Sequence, residues 1–169
     1  MQGTKKDYSL IVRNFTFGVE DSLVSTVGLL AGIAIASVDT KTIVLTGTVL
    51  IFVEAFSMGV GSLLSEQSVE EYQSNKEVAL SKPIVAATVM FVSYVVAGFI
   101  PLAPYVFSTS RIAVWWSVGL TLLSLALLGA LNAHIFRVRV WKDAIMTLLM
   151  GGLAIGVGIG VGQLAGFIG

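Results

Sequence analysis

Long apolar runs, separated by short polar stretches, set the pattern of this chain. Ser22–Val38 carries no charge, and Thr42–Ser65 carries one, Glu54. Pro83–Ser110, Ile112–Ala133 and Ala144–Gly169 are each uncharged. Each run is long enough for one membrane crossing, which takes about 20 residues as a helix. The pattern predicts spans at about 17–37, 42–65, 84–105, 112–134 and 144–167, with a polar connector over 66–82. Helices are expected rather than strands, because lipid forces backbone groups to pair within one segment or in a closed barrel. The runs also lack the period-two alternation of a barrel. The predicted fold class is an all-α membrane protein of five transmembrane helices, a single transmembrane domain over 1–169 without boundary or repeat.

Lysine and arginine orient the bundle. Lys5, Lys6, Arg13, Lys76, Lys82, Arg137, Arg139 and Lys142 collect at one side, against Lys41 and Arg111 at the other. The split of eight to two predicts a cytoplasmic N-terminus and a C-terminus outside. Trp115, Trp116 and Trp141 then fall at span ends, where interface anchors belong. The opening MQGTKKDYSL lacks the apolar core of a removable signal peptide, so the first span is expected to persist.

Composition narrows the chemistry. The chain is 56% hydrophobic and 12% charged, with zero formal net charge and a mean hydropathy of +0.92. That balance favours lipid as solvent and gives no electrostatic case for nucleic acid. The absence of cysteine excludes disulfides, thiolate metal sites and cysteine nucleophiles, and the single histidine, His134, excludes a multi-histidine site within one chain. Any metal chemistry must use oxygen ligands and methionine sulfur.

Two further stretches stand out. The last span reads GGLAIGVGIGVGQLAG, with glycines 152, 156 and 160, and 158, 162 and 166, in two stripes of four-residue spacing. Such stripes permit close helix packing, and Gly156 and Gly160 are taken as packing positions. A phosphate-cradling loop would need a preceding strand and a following Lys-Ser/Thr, which are missing. Span three closes on Ile100-Pro-Leu-Ala-Pro-Tyr105, which predicts a helix break near the outer interface.

Intramembrane acids carry the functional signal. A charge at the centre of a span costs about 2.5–3.5 kcal/mol on insertion scales, so such residues persist for a reason. Asp21, Ser25, Gly28 and Gly32 form one helical stripe, expected to face span two and a partner chain. Glu20 points roughly 100° away and leans toward the cytoplasmic mouth. Span two offers Gly47, Glu54, Met58, Gly61 and Ser65 on one stripe. At ~1.5 Å per residue, Asp21 and Met58 share a level and Glu54 lies about one turn deeper.

Two carboxylates and a thioether suit a divalent transition metal such as Fe²⁺ or Mn²⁺ as a transported substrate, with no permanently bound cofactor. One chain supplies too few ligands, so a two-fold homodimer in the bilayer is the expected assembly. Protonating a carboxylate weakens such a site, which implies exchange of metal for protons. In the connector, Glu66, Glu70 and Glu77 share a face if the helix of span two continues. That face is either a solvated helix end or, for Glu66 and Glu70, a mouth that attracts metal.

At these residues the sequence resembles the vacuolar iron transporter family. The matching blocks are Phe17–Gly32 (FGVEDSLVSTVGLLAG), Glu54–Gly61 (EAFSMGVG) and Ile100–Tyr105. The resemblance implies a homodimer whose ion path runs between the first helices, exporting Fe²⁺ or Mn²⁺ from the cytosol against protons. It also implies that Asp21 and Met58 bind metal, with Glu54 as the second-helix carboxylate. The chain departs from the family at Glu20-Asp21-Ser22, where Asn-Asp-Gly is common, and at Gly61-Ser62-Leu63, where Gly-Glu-Tyr is common. It also lacks the glutamate-rich cytoplasmic domain, as do short nodulin-like members.

A metal carrier is therefore the expected function. A non-transporting membrane protein whose acids only specify helix pairing is the alternative, and an intramembrane enzyme lacks its usual residues. A prokaryotic plasma membrane is the expected location, with a vacuolar membrane as the alternative.

Overall fold

The computed structural model describes the backbone of residues 2–136 and 140–168, and the side chains of 8–109, 111–135, 141 and 145–165. Among the described residues the chain forms five helices: α1 (Gln2–Ile35), α2 (Thr40–Ser74), α3 (Ser81–Phe107), α4 (Ser110–Phe136) and α5 (Val140–Ile168). All five are long and apolar enough to cross a membrane. The expected element count and type hold. Arg137 and Arg139, and the side chains of Lys5, Lys6 and Lys142, lie outside the described residues.

α1 is the hub, packing against each of the other four helices. Its Leu23, Val27, Leu30 and Ala31 are almost wholly enclosed. One cluster joins Leu30 and Ala31 to Ile43 and Ile51 of α2, Leu102 and Tyr105 of α3, and Ala113 and Val114 of α4. Outward-facing positions are apolar too, among them Val53, Phe56, Leu127 and Leu153, as lipid-facing surface requires. Trp115, Trp116 and Trp141 are strongly exposed.

α1 and α2 outlast the bilayer. At ~1.5 Å per residue, 34 and 35 residues reach about 50 Å, against a hydrocarbon core of about 30 Å. The excess lies at the N-terminal end of α1 and the C-terminal end of α2, where Arg13 and Glu66 form an ion pair. Beneath it, Ser62 donates to the Asn14 side chain at 2.6 Å, and Asn14 donates to the Leu10 carbonyl at 2.9 Å. Asn14 is 3% exposed, so this bond satisfies an otherwise buried amide.

The helix ends have local causes. Ser37 takes a left-handed φ of 63°, while Ser37 and Val38 return their N–H groups to Ala34 and Ile33, a Schellman stop to α1. Asp39 then caps α2 by accepting the Thr42 N–H at 3.1 Å. Bonds from the Thr42 hydroxyl and backbone hold the Asp39 carboxyl below the usual carboxylate range. Asn75, at φ 50°, closes α2 by donating to Glu71. The helix thus enters the predicted connector and carries Glu66 and Glu70, but it stops before Glu77. Glu77 does not share their face.

The expected break at Ile100–Tyr105 does not occur. α3 runs to Phe107 with Pro101 and Pro104 inside it. Pro101 is buried, and Ser117 of α4 donates to its carbonyl at 2.7 Å. Neighbouring helices and hydroxyls sustain proline inside a membrane helix in this way.

Candidate functional site

Three helices meet around Asp21. Ser22 donates its hydroxyl to the Tyr94 carbonyl of α3 at 2.6 Å, and Ser25 shares a 2.7 Å hydrogen bond with the Tyr94 hydroxyl. These bonds fix the turn of α1 that carries Asp21. They explain why hydroxyl residues occupy an otherwise apolar stretch, since a buried phenol or serine needs a partner. Gly98 permits the approach: a Cβ there would sit 2.8 Å from Ser22 Oγ and 2.7 Å from Ile51. Gly18, one turn earlier, is pressed against Met90 and Ser93 of α3.

Asp21 of α1 and Glu54 of α2 lie near enough for their charges to bear on one another, and both lie near Tyr94 of α3. Glu20 lies within the field of Asp21. Both acids of α1, together with Glu54 and Met58, are half-buried, so none is sealed into the core of one chain. Met58 follows Glu54 by one turn on α2, which keeps carboxylate and thioether on neighbouring positions. Among the described residues, no three of histidine, cysteine, aspartate or glutamate gather as a metal cluster within the single chain.

Two expectations about facing change. The enclosed positions of α2 are Ile43, Gly47, Ile51, Ala55, Gly59 and Glu66. Of the predicted stripe only Gly47 belongs to them, while Gly61 and Ser65 are exposed. Glu54 and Met58 therefore flank the buried face rather than define it. The Gly28 and Gly32 part of the α1 stripe meets α5, not α2: a Cβ on Gly32 would lie 2.6 Å from the Gly158 carbonyl oxygen. On α5 the close approach belongs to Gly158 and Gly162, which abut the Gly28 and Gly32 carbonyls. Gly156 and Gly160 face open space within the chain, so they are not its packing positions. Gly166 lies outside the described side chains.

Glu66 is nearly buried and ion-paired with Arg13, so it is no free acid at a mouth. Glu70 lines a pocket of about 370 Å³ with Gln73, Ser81 and Lys82 at the α2–α3 connection. Ser25 borders a groove of about 500 Å³ between α1 and α5. Asn132 accepts a 3.0 Å hydrogen bond from Thr16 and so joins α4 to α1, whereas His134 is exposed.

Tyr94, Ser22 and Asn14 were not singled out from sequence. The signal was a tyrosine inside an aliphatic run, Val92-Ser-Tyr-Val-Val96, whose hydroxyl must find a partner.

The sequence model of the VIT family matches residues 12–80 and 69–163. Vacuolar iron transporter homolog 4 of Arabidopsis thaliana is 28% identical over 179 residues, spanning 98% of this chain and 90% of the relative. Vacuolar iron transporter homolog 1 of the same plant is 27% identical over 166 residues, 92% of this chain and 83% of the relative. Vacuolar iron transporter 1 of Oryza sativa subsp. japonica is 32% identical over 99 residues, 55% of this chain and 39% of the relative.

Proposed function

The chain belongs to the VIT family, and on that premise we propose that this integral membrane protein moves Fe²⁺ or Mn²⁺ out of the cytosol in exchange for protons. The observation that carries the reading is the placement of two half-buried acids, Asp21 and Glu54, on two different helices within a bundle built for lipid. Like charges brought together in a span are costly unless a cation or a proton joins them. Metal and proton thus compete for the same two carboxylates, and an antiporter needs that competition.

Met58 adds a soft donor beside Glu54, which favours a transition metal over Ca²⁺ or Mg²⁺. Three ligands fall short of the roughly six oxygen and nitrogen positions such ions take. The reading therefore includes a two-fold homodimer that pools the ligands of two chains. The half-buried state of Asp21, Glu54 and Met58 supports it, because these groups remain available to a second chain. The lysine and arginine distribution supports cytosolic entry at the Arg13 and Glu66 end. Names of the plant relatives bring iron as the first substrate to test and a vacuolar membrane as the alternative to a prokaryotic plasma membrane.

The test is transport by purified protein in liposomes, with Fe²⁺ or Mn²⁺ supplied and a pH dye inside. Metal uptake with opposite proton movement is expected, and Asp21→Ala is expected to stop both. Uptake unaffected by Asp21→Ala would overturn the site, and absence of any metal flux would favour a helix-pairing role for the acids.

A further inference from the structure

Two contacts fix α2 against α1, one on each side of the acids. Near the turn that joins the helices, a Cβ on Gly47 would lie 2.8 Å from the Leu30 side chain, so Leu30 seats directly on the α2 backbone. At the opposite end, Ser62 donates to the Asn14 side-chain oxygen at 2.6 Å. Leu30 lies 16 positions from Asn14, and Gly47 lies 15 from Ser62, so both contacts belong to one antiparallel register.

That register places the acids. Counted from the Asn14–Ser62 bond at ~1.5 Å per residue, Asp21 stands ~10 Å along α1, while Met58 and Glu54 stand ~6 Å and ~12 Å along α2. Asp21 therefore falls between the levels of Met58 and Glu54, nearer to Glu54, and not level with Met58 as the spans alone suggest. Seven residues return a helix to within about 20° of the same face, so Asn14 and Asp21 share one side of α1. Ser62 follows Met58 by one turn on α2.

The bond is suited to holding such a register. Asn14 is 3% exposed, and its amide also donates to the Leu10 carbonyl at 2.9 Å, which fixes the direction of its oxygen. Both partners are neutral, so the bond persists whether the acids carry protons, a cation or neither. Like charges on neighbouring helices push those helices apart until a cation or a proton joins them, and the two contacts bracket that repulsion.

We infer that Asn14 and Ser62 are positioning residues of the carboxylate site: their bond holds α1 and α2 in the register that brings Asp21 within reach of the same cation as Glu54 and Met58. Neither is a ligand. The inference rests on the carrier reading above.

Ser62→Ala and Asn14→Ala each remove the bond, and Ser62→Thr keeps a hydroxyl. With Mn²⁺ as probe and calorimetry in detergent as readout, both alanine variants are expected to weaken binding at least fivefold. The double variant is expected to match the weaker single variant within twofold, because one bond is lost in all three. Ser62→Thr is expected to stay within twofold of the parent protein. Alanine variants that unfold at lower temperature yet keep parental Mn²⁺ affinity overturn the inference, since the bond then serves the fold alone. A loss confined to Asn14→Ala also overturns it, by making Asn14 a ligand. Should Asn14→Ala fail to assemble, Ser62→Ala against Ser62→Thr decides. Absence of Mn²⁺ binding in the parent protein overturns the carrier reading and this inference with it, whereas parental binding that both alanine variants retain removes the positioning role alone.

Discussion

Arg13 on α1 and Glu66 on α2 form an ion pair whose two sides see different solvent: the Arg13 side chain is 65% exposed and that of Glu66 is 11% exposed. The asymmetry decides what each truncation leaves behind. Glu66→Gln leaves a guanidinium that water can serve, so the loss is expected to stay under about 1 kcal/mol. Arg13→Gln leaves a nearly buried carboxylate without its partner, at a cost of about 1–3 kcal/mol. Thermal unfolding in detergent should rank Arg13→Gln well below Glu66→Gln, and the reverse order would mean that Glu66 gains little from Arg13.

Glycines of α5 divide into two functional kinds despite their equal spacing. Gly158 and Gly162 abut the α1 backbone, so Gly158→Ala is expected to force α1 and α5 apart and lower the unfolding temperature by several degrees. Gly156 and Gly160 meet nothing within the chain, so Gly156→Ala is expected to leave folding of the chain unchanged or slightly improved. If Gly156→Ala weakens dimerisation without changing folding, its open face is an intermolecular one. Size-exclusion chromatography beside thermal unfolding separates these effects.

Charge-free runs marked five spans because lipid penalises charge at every position of a span, a rule that needs no neighbour to apply. Asp21 and Glu54 stood out for the same reason. Which glycine stripe of α5 meets α1 depends on the rotation of one helix against another, and a four-residue spacing is common to both stripes. The partner of Glu66 was hidden likewise, since Arg13 lies on a different helix 53 positions earlier. Tyr94 in an aliphatic run looks like ordinary interior until Ser22 and Ser25 are placed against it. Pro101 and Pro104 signalled a helix break, yet the Ser117 hydroxyl and buried packing of α3 allow the helix to continue.

Asp39 gives a pH-dependent end to α2. Hydrogen bonds from the Thr42 hydroxyl and N–H hold its carboxyl below the ordinary range. A folded-state value below the unfolded one means that the stabilisation is full above the unfolded pKa, roughly 3.9, and is lost as pH falls through the folded value. Asp39→Asn keeps a capping oxygen and is expected to remove this acid-side dependence. Asp39→Ala is expected to remove both the dependence and the cap. Unfolding temperatures followed from about pH 6 down to about pH 2 test the pair, and parallel curves for the parent protein and Asp39→Asn would refute the assignment.

Adjacent acids on α1 offer the sharpest test of the site. Asp21 interacts with Glu54 across the helix boundary and sits in the turn that Ser22 and Ser25 pin to Tyr94. Glu20 feels Asp21 but stands roughly 100° around the helix from it. On the carrier reading, a metal held by Asp21 and Glu54 would lose a charged oxygen donor in Asp21→Asn, which retains size and hydrogen bonding but cannot take up a proton. Transport is expected to fall by at least a hundredfold, with metal-dependent thermal stabilisation lost in parallel. Glu20→Gln removes a like charge beside Asp21 without touching the bridge, so transport is expected to drop no more than about threefold, near the scale of a weak electrostatic contact. Glu54→Gln is expected to follow Asp21→Asn, because it removes the other half of the same pair. If Glu20→Gln abolishes metal flux while Asp21→Asn retains it, the ion is held on the Glu20 side of α1, and the site must be rebuilt around Glu20.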